Sequence, residues 1–350
     1  MVDHPVTRRM YIMAARFYFP GSHTCRGFLG YFDDLLPQGE NRQIYLLKGG
    51  PGTGKNTLLR ALAAQWEKDG KSVDYYLCAG DPNSVDAVVS DNLAAVDATL
   101  PHAMEAHLPG AQEQVIDLGA CLDGAQLLAH RDELAHITRE KRRHTARAHR
   151  YLAGADAAFR DSAAIYAAAV DTGALCNLRL ELTQFLAGSE GPSQRLYAQA
   201  ITPQGVMQQA ESMLRTYTVC LDLPFGFDAD CVIYPLAVAL HARGTGYQVA
   251  MQPLDGKRMA HIATDTHAVT TFVSPGCDIR TLKFDEALLR SEREALSFNR
   301  AAHDLMLRQA VDSLHRASEM HARLERIYRD AMDMTRLNEI TQQLLSKIRA

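Results

Sequence analysis

The chain repeats itself, and this constrains its fold more than any other feature. "RFYFPGSHTCRGFLGYFDDLL" (Arg16 to Leu36) aligns with "RLYAQAITPQGVMQQAESML" (Arg195 to Leu214). "YLLKGGPGTGKNTLLRALAAQWEKDGKSV" then aligns with "VCLDLPFGFDADCVIYPLAVALHARGTGYQV", and "DPNSVDAVVSDNLAAVDATLP" with "DGKRMAHIATDTHAVTTFVSP". In this alignment Pro51 falls on Pro224 and Pro101 on Pro275. Both copies alternate short apolar runs with a helical-period segment, so the prediction is one α/β unit duplicated in tandem. Each copy continues into a Pro-free stretch, Ala111 to Gly191 and Gly276 to Ala350, rich in Ala, Leu, Arg and Glu, which favour helix. The predicted units are 1–193, with a helical arm at about 120–190, and 194–350, with a C-terminal helical extension.

The first copy carries the clearest chemical signal. "QIYLLKG" (Gln43 to Gly49) is an apolar run rich in strand formers that ends in glycine. "NTLLRALAAQWEKDG" (Asn56 to Gly70) places Leu58, Leu59, Leu62 and Trp66 on one helical face, and Gly70 closes it. Between them lies "GGPGTGK". A glycine-rich turn between strand and helix lets backbone N–H groups converge on phosphate oxygens, and the helix N-terminus favours negative charge. The predicted phosphate-binding residues are Gly50, Pro51, Gly52, Thr53, Gly54, Lys55, Asn56 and Thr57, with Lys55 reaching the β- and γ-phosphates.

Asn56 departs from the pattern, which calls for a Ser or Thr hydroxyl as Mg²⁺ ligand. Thr57 is turned about 100° away along the helix. The Asn56 amide oxygen is a hard ligand, so Asn56 is one expected metal ligand. Asp97, closing the apolar run "NLAAVDAT", is the other, and with Lys55 it is the expected catalytic pair. No Glu follows Asp97; Asp81, His102 and Glu113 are candidate bases, each with an ordinary reading as a turn or surface residue.

The second copy aligns Asp228 with Lys55, Phe227 with Gly54, Phe225 with Gly52 and Thr271 with Asp97. An aspartate would repel phosphate and the rings would fill the cradle, so one nucleotide site per chain is expected. Asp255-Gly256-Lys257 reads as a plain turn.

These motifs resemble a bacterial family of tandemly duplicated P-loop ATPase-like proteins, within the P-loop nucleoside triphosphate hydrolase superfamily. The matching residues are Arg26-Gly27-Phe28, the glycine loop, Cys78 to Pro82, then Asp97, Thr99, Pro101 and His102, and finally Pro109-Gly110-Ala111. The resemblance implies an α/β, P-loop NTPase-like three-layer sandwich with a mostly parallel sheet, duplicated, each half bearing long helical extensions. It also implies ATP binding and hydrolysis, here at the N-terminal site only; Mg²⁺ is the ion that would accompany ATP, and Asn56 counts against its use and marks a weakened member. A small-molecule kinase and a catalytically inactive nucleotide-binding scaffold are the alternatives.

Gly124 to Val170 carries apolar residues at Leu127, Leu134, Ile137, Tyr151, Leu152, Phe159 and Tyr166, as an arm with one buried stripe would. Arg142, Arg143, Arg147 and Arg150 read as a solvated face or as a basic lid. In the tail, Leu305, Leu314, Leu324, Ile327 and Leu337 are expected core or homodimer contacts. A net charge of −4 argues against nucleic acid as partner. The seven scattered Cys, with no CxxC pair, read as free thiols in a reducing compartment and no zinc site. "MVDHPVTRRMYIMAARFYF" lacks a continuous apolar core and is read as no signal peptide; the longest apolar run, near Cys231 to Leu240, is too short to span a bilayer. The expectation is a cytoplasmic protein with no membrane partner.

Overall fold

The structure, a computed structural model, describes residues 15–39, 41–275 and 277–349. Most of the N-terminal segment read for a signal peptide lies outside the described residues. The first half runs β1 (Arg16–Tyr18), a hairpin of β2 (Gly21–Thr24) and β3 (Gly27–Gly30), β4 (Gln43–Lys48), α1 (Lys55–Lys68), β5 (Asp74–Leu77), β6 (Val85–Ser90), β7 (Leu93–Asp97) and β8 (Glu113–Asp117). Its extension is α2 (Gly124–Ala129), α3 (Arg131–Ala169) and α4 (Thr172–Phe185). The second half repeats every element: β9 (Ser193–Leu196), β10 (Gln199–Thr202), β11 (Gly205–Gln208), β12 (Tyr217–Asp222), α5 (Asp230–Ala242), β13 (Tyr247–Met251), β14 (Met259–Ala263), β15 (His267–Thr270), β16 (Asp278–Thr281), then α6 (Glu286–Ser291), α7 (Arg293–Asp330) and α8 (Met334–Arg349).

Each half builds a six-stranded mixed sheet, in the order β1-β5-β6-β7-β4-β8 and its counterpart β9-β13-β14-β15-β12-β16. In the first sheet β4 lies parallel to β7 and β8, and β1 parallel to β5, while β6 runs antiparallel between β5 and β7. Ile44 to Leu47 are all buried because β4 is covered on both faces, as central parallel strands generally are. Tyr45 and Leu47 pack with Leu58, Leu59, Leu62 and Trp66 of α1. Ile44 and Leu46 face the other way. They join one cluster with Leu196, Ala250, Ala263 and Ala268 of the second half. The expected three-layer sandwich is thereby corrected. Each sheet carries its own helix on one face and shares the core on its other face with the opposite half.

A pseudo-two-fold axis relates the halves. It passes between Phe19 and Tyr197, whose N–H groups each donate to the other's carbonyl at 2.9 Å. The extensions cross this axis. α4 packs on α5 of the second half, and α8 lies against α1 of the first. Paired bridges at Leu122–Met332 and Val170–Phe284 fix the crossings. Between them α3 and α7 run antiparallel, with Lys141 beside His321 and Asp161 beside Asn299. Ala148, Leu152, Ala155 and Phe159 bury against Ala310 and Leu314, so the stripes read from sequence satisfy one another within one chain. Leu324 and Leu337 are buried as well, and Leu305 stays largely exposed. Among the described residues no helix is long and apolar enough to cross a membrane.

The reading of all seven cysteines as free thiols is corrected. Cys220 and Cys277 form a disulfide that joins β12 to the segment entering β16. The other five are free. These two are 57 residues apart in sequence, so no local spacing pattern marks them.

Candidate functional site

The loop between β4 and α1 has the shape its glycines allow. Gly49, Gly52 and Gly54 adopt φ of 153°, 72° and 85°, which side-chain-bearing residues rarely tolerate. Gly54 caps α1 in the left-handed region. The first bond into the helix is from the Leu58 N–H to the Gly54 carbonyl, so Lys55, Asn56 and Thr57 have N–H groups without intrahelical acceptors. Thr53 is buried and donates from Oγ1 to the Gly50 carbonyl at 2.8 Å. The Lys55 ammonium folds back onto the carbonyls of Gly49 and Gly50, at 3.0 and 2.8 Å. Asp97 Oδ2 lies 3.6 Å from it. Lys55 and Asp97 are therefore brought together by the parallel pairing of β4 with β7, which aligns Leu47 with Asp97.

Asn56 is turned elsewhere. Its Oδ1 accepts the N–H of Val85 at 3.0 Å and Nε of Arg60 at 3.2 Å. A metal ion at this oxygen would have to displace both donors, and the usual magnesium position at the helix start does not fit this arrangement. Asp97 Oδ1 is held by the N–H and Oγ1 of Thr99, leaving Oδ2 toward Lys55.

Beyond Asp97 the site holds His102, one of the candidate bases, and Asp86, which was not selected from sequence. The β6/β7 ladder ends with Ala87 paired to Val96, and Asp86, the next residue, sits at the irregularity of β6 against β5 with its carboxyl within 4.8 Å of the ligand atoms of Asp97 and His102. Asp86 is buried; that burial, with Asp97 nearby, pushes its carboxyl up to about 8. The ring of His102 stacks on Phe32 at 4.2 Å, and its Nε2 lies 3.9 Å from Asp97 Oδ1. Burial lowers the His102 pKa, an effect that Asp97 opposes. Neither ring nitrogen of His102 has a hydrogen-bond partner. On its outer side His102 borders a cavity of 310 Å³ also lined by Phe28, Phe32 and Met104.

The second half closes the site from above. A β-carbon on Gly52 would sit 2.5 Å from the Glu325 carbonyl oxygen, and one on Gly50 3.1 Å from the Tyr328 ring. α7 therefore lies directly across the loop. Lys141 of α3 contacts His321 Nδ1 at 2.9 Å, and burial lowers the Lys141 pKa. Burial, with Lys141 and Lys55 nearby, holds His321 at about 4; burial and Asp81 raise Glu325. Of the basic run, Arg142, Arg143 and Arg150 are exposed and Arg147 is half-buried, and Lys141 of α3 is the cation that contacts His321 across the site. Asp81 is a turn residue bonded to Ser84 and Asn83. Glu113 is buried against Arg42 and the Leu108 N–H, as a structural anchor.

In the second half the equivalent loop is filled. Phe225 packs edge-on against Phe159 and His303 under the Arg300 guanidinium, and Phe227 packs against Tyr166 and Phe284. The repeat register read from sequence is corrected here by one residue. Asp230 Oδ1 accepts the Met259 N–H just as Asn56 accepts that of Val85, so Asn56 corresponds to Asp230, Lys55 to Ala229, Gly54 to Asp228 and Gly52 to Gly226. Gly226 keeps the positive φ of Gly52, at 92°. The Asp255-Gly256-Lys257 turn is a buried ion cluster, with Asp255 paired to Arg26, Arg160 and Arg258.

No family model, curated protein or solved structure matches the chain.

Proposed function

We propose that the first half is a P-loop-type site that binds ATP, and that it is the chain's single nucleotide site. The observation that carries this reading is the Lys55 ammonium. It rests on two neutral carbonyls of its own loop, at 3.0 and 2.8 Å, beside the free N–H groups of the first turn of α1. A polyphosphate would offer that cation anionic oxygens in place of carbonyls, and charge-assisted bonds of this kind are about twice as strong as neutral ones. The second half has Ala229 in place of Lys55 and aromatic rings in place of open space. It serves as the lid, since α7 crosses the loop at Glu325 and Tyr328.

Hydrolysis at this site rests on Asp97. Its Oδ2 is the carboxylate oxygen not held by Thr99, and it lies beside the lysine that would neutralise the γ-phosphate. Magnesium at Asn56 does not fit, and no step is drawn through it. A second reading, a nucleotide-binding regulator without turnover, is favoured by the engagement of Asn56 Oδ1 with Val85 and Arg60. A phosphate-release assay alongside ATP calorimetry separates them. Binding with release, lost in Asp97→Asn, supports the ATPase; binding without release supports the regulator; no binding to the intact chain overturns both.

A further inference from the structure

We propose that Asp86, Asp97 and His102 form a binding site for one divalent transition-metal ion of the Mn²⁺ or Zn²⁺ type, independent of Asn56. Each offers one ligand atom, and these atoms lie within 4.8 Å of one another. Asp86 is buried and Asp97 half-buried, and two carboxyl groups brought this close where water reaches them poorly favour a cation between them. Lys55 lies on the Oδ2 side of Asp97 and Thr99 donates to Oδ1, so an ion at Asp97 takes the place of one of these contacts, an exchange that favours the anionic carboxylate over the neutral amide of Asn56. The independent observation is His102. Its side chain is 8% exposed, both ring nitrogens lack a partner, and Nε2 is the nitrogen turned to Asp97, 3.9 Å from Oδ1. A buried imidazole with no partner is costly, whereas a metal bond satisfies it.

The ligand set selects the ion. Mg²⁺ and Ca²⁺ take oxygen donors, while imidazole with carboxylates suits Zn²⁺, Mn²⁺ and Fe²⁺. Ligands around one ion at about 2.1 Å sit about 3.0–3.4 Å apart, so His102 and Asp97 need to close by less than about 1 Å. His102 lies on the loop after β7, and its ring is steadied by Phe32. The chain thus supplies a nitrogen ligand from that loop in place of the helix-start hydroxyl that Asn56 replaces. The inference shares Asp97 with the nucleotide reading but does not depend on it.

The test uses the full chain, stripped of metal with chelator and titrated with Mn²⁺, Zn²⁺ and Mg²⁺ in the absence of nucleotide. The expected result is one Mn²⁺ or Zn²⁺ per chain and at least tenfold weaker Mg²⁺. His102→Gln and Asp86→Asn should each weaken binding beyond the about 10- to 100-fold typical of losing an outer-shell partner. Far-UV circular dichroism and the unfolding midpoint show whether each variant is folded, and the two variants are independent of each other. Lys55→Ala should lose ATP binding yet keep the ion, which separates failure of the nucleotide reading from failure of this one. Unchanged ion affinity in both folded variants, or Mg²⁺ bound as tightly as Mn²⁺ and Zn²⁺, would overturn the proposal.

Discussion

Asn56 and Asp230 occupy one structural position twice. Each sits in the first turn of the helix that follows the loop, and each accepts the N–H that opens the antiparallel strand beside it, Val85 at 3.0 Å and Met259 at 2.7 Å. The departure from the hydroxyl pattern is thus explained by a structural bond that both halves keep, whatever each loop binds. Asn56→Ala should cost about 1–3 kcal/mol by leaving the Val85 N–H unsatisfied. Asn56→Asp should keep most of that. Chemical denaturation checks it; an alanine variant as stable as the parent would contradict the assignment.

Gly52→Ala should destabilise far more than Gly70→Ala. Both glycines have positive φ, so each substitution carries a backbone cost of about 1–2 kcal/mol. Only at Gly52 does the new carbon also meet a backbone oxygen, that of Glu325 at 2.5 Å; at Gly70 nothing lies within 4 Å. Equal losses in urea midpoint would mean that α7 does not rest on the loop.

Arg258 ties the crossing arm to the second half. It bonds Asp156 of α3 at 2.7 Å, reaches Asp228 at 3.3 Å and Asp255 at 3.4 Å, and lies over Phe159. Removing one partner of a buried ion network costs about 3–5 kcal/mol. Arg258→Ala should lose that much stability. A loss under about 1 kcal/mol, the worth of an exposed pair, would show the network to be solvated.

Acid should weaken the fold through His261. Burial holds this ring at about 4, against about 6.5 in an unfolded chain. The unfolded state therefore takes up the proton first, and the stability present above pH about 6.5 is lost as pH falls toward 4, by at most about 1.4 kcal/mol per unit. His261→Asn can still accept from the Thr271 N–H, as Nδ1 does at 3.2 Å. Its unfolding midpoint should fall less between pH 6.5 and 4.5. The same slope in parent and variant would remove His261 as the cause.

The legible part of this molecule was local. Glycine spacing between an apolar run and a 3.6-period helix located the loop, and Leu58, Leu59, Leu62 and Trp66 are buried as their spacing requires. Asp86 escaped because β6 is a short run that merges with β7 across two residues, so its approach to Asp97 emerges only once the strands are paired. Lys141 and His321 are 180 residues apart, and no periodicity encodes which half an arm crosses to. The one-residue slip between the copies arose because the match of Pro51 to Pro224 outweighed an Asn-to-Asp correspondence whose meaning is a hydrogen bond to a backbone N–H. The shared core likewise depends on Ile44 and Leu46 facing a second sheet, which an apolar run cannot disclose.

The most direct measurement is calorimetric titration of ATP into the intact chain and into Lys55→Ala. One ATP per chain is expected for the parent and no detectable binding for the variant, because Ala229 and the packed rings of Phe225 and Phe227 leave the second half without a cradle. Two ATP per chain, or undiminished affinity in Lys55→Ala, would contradict it.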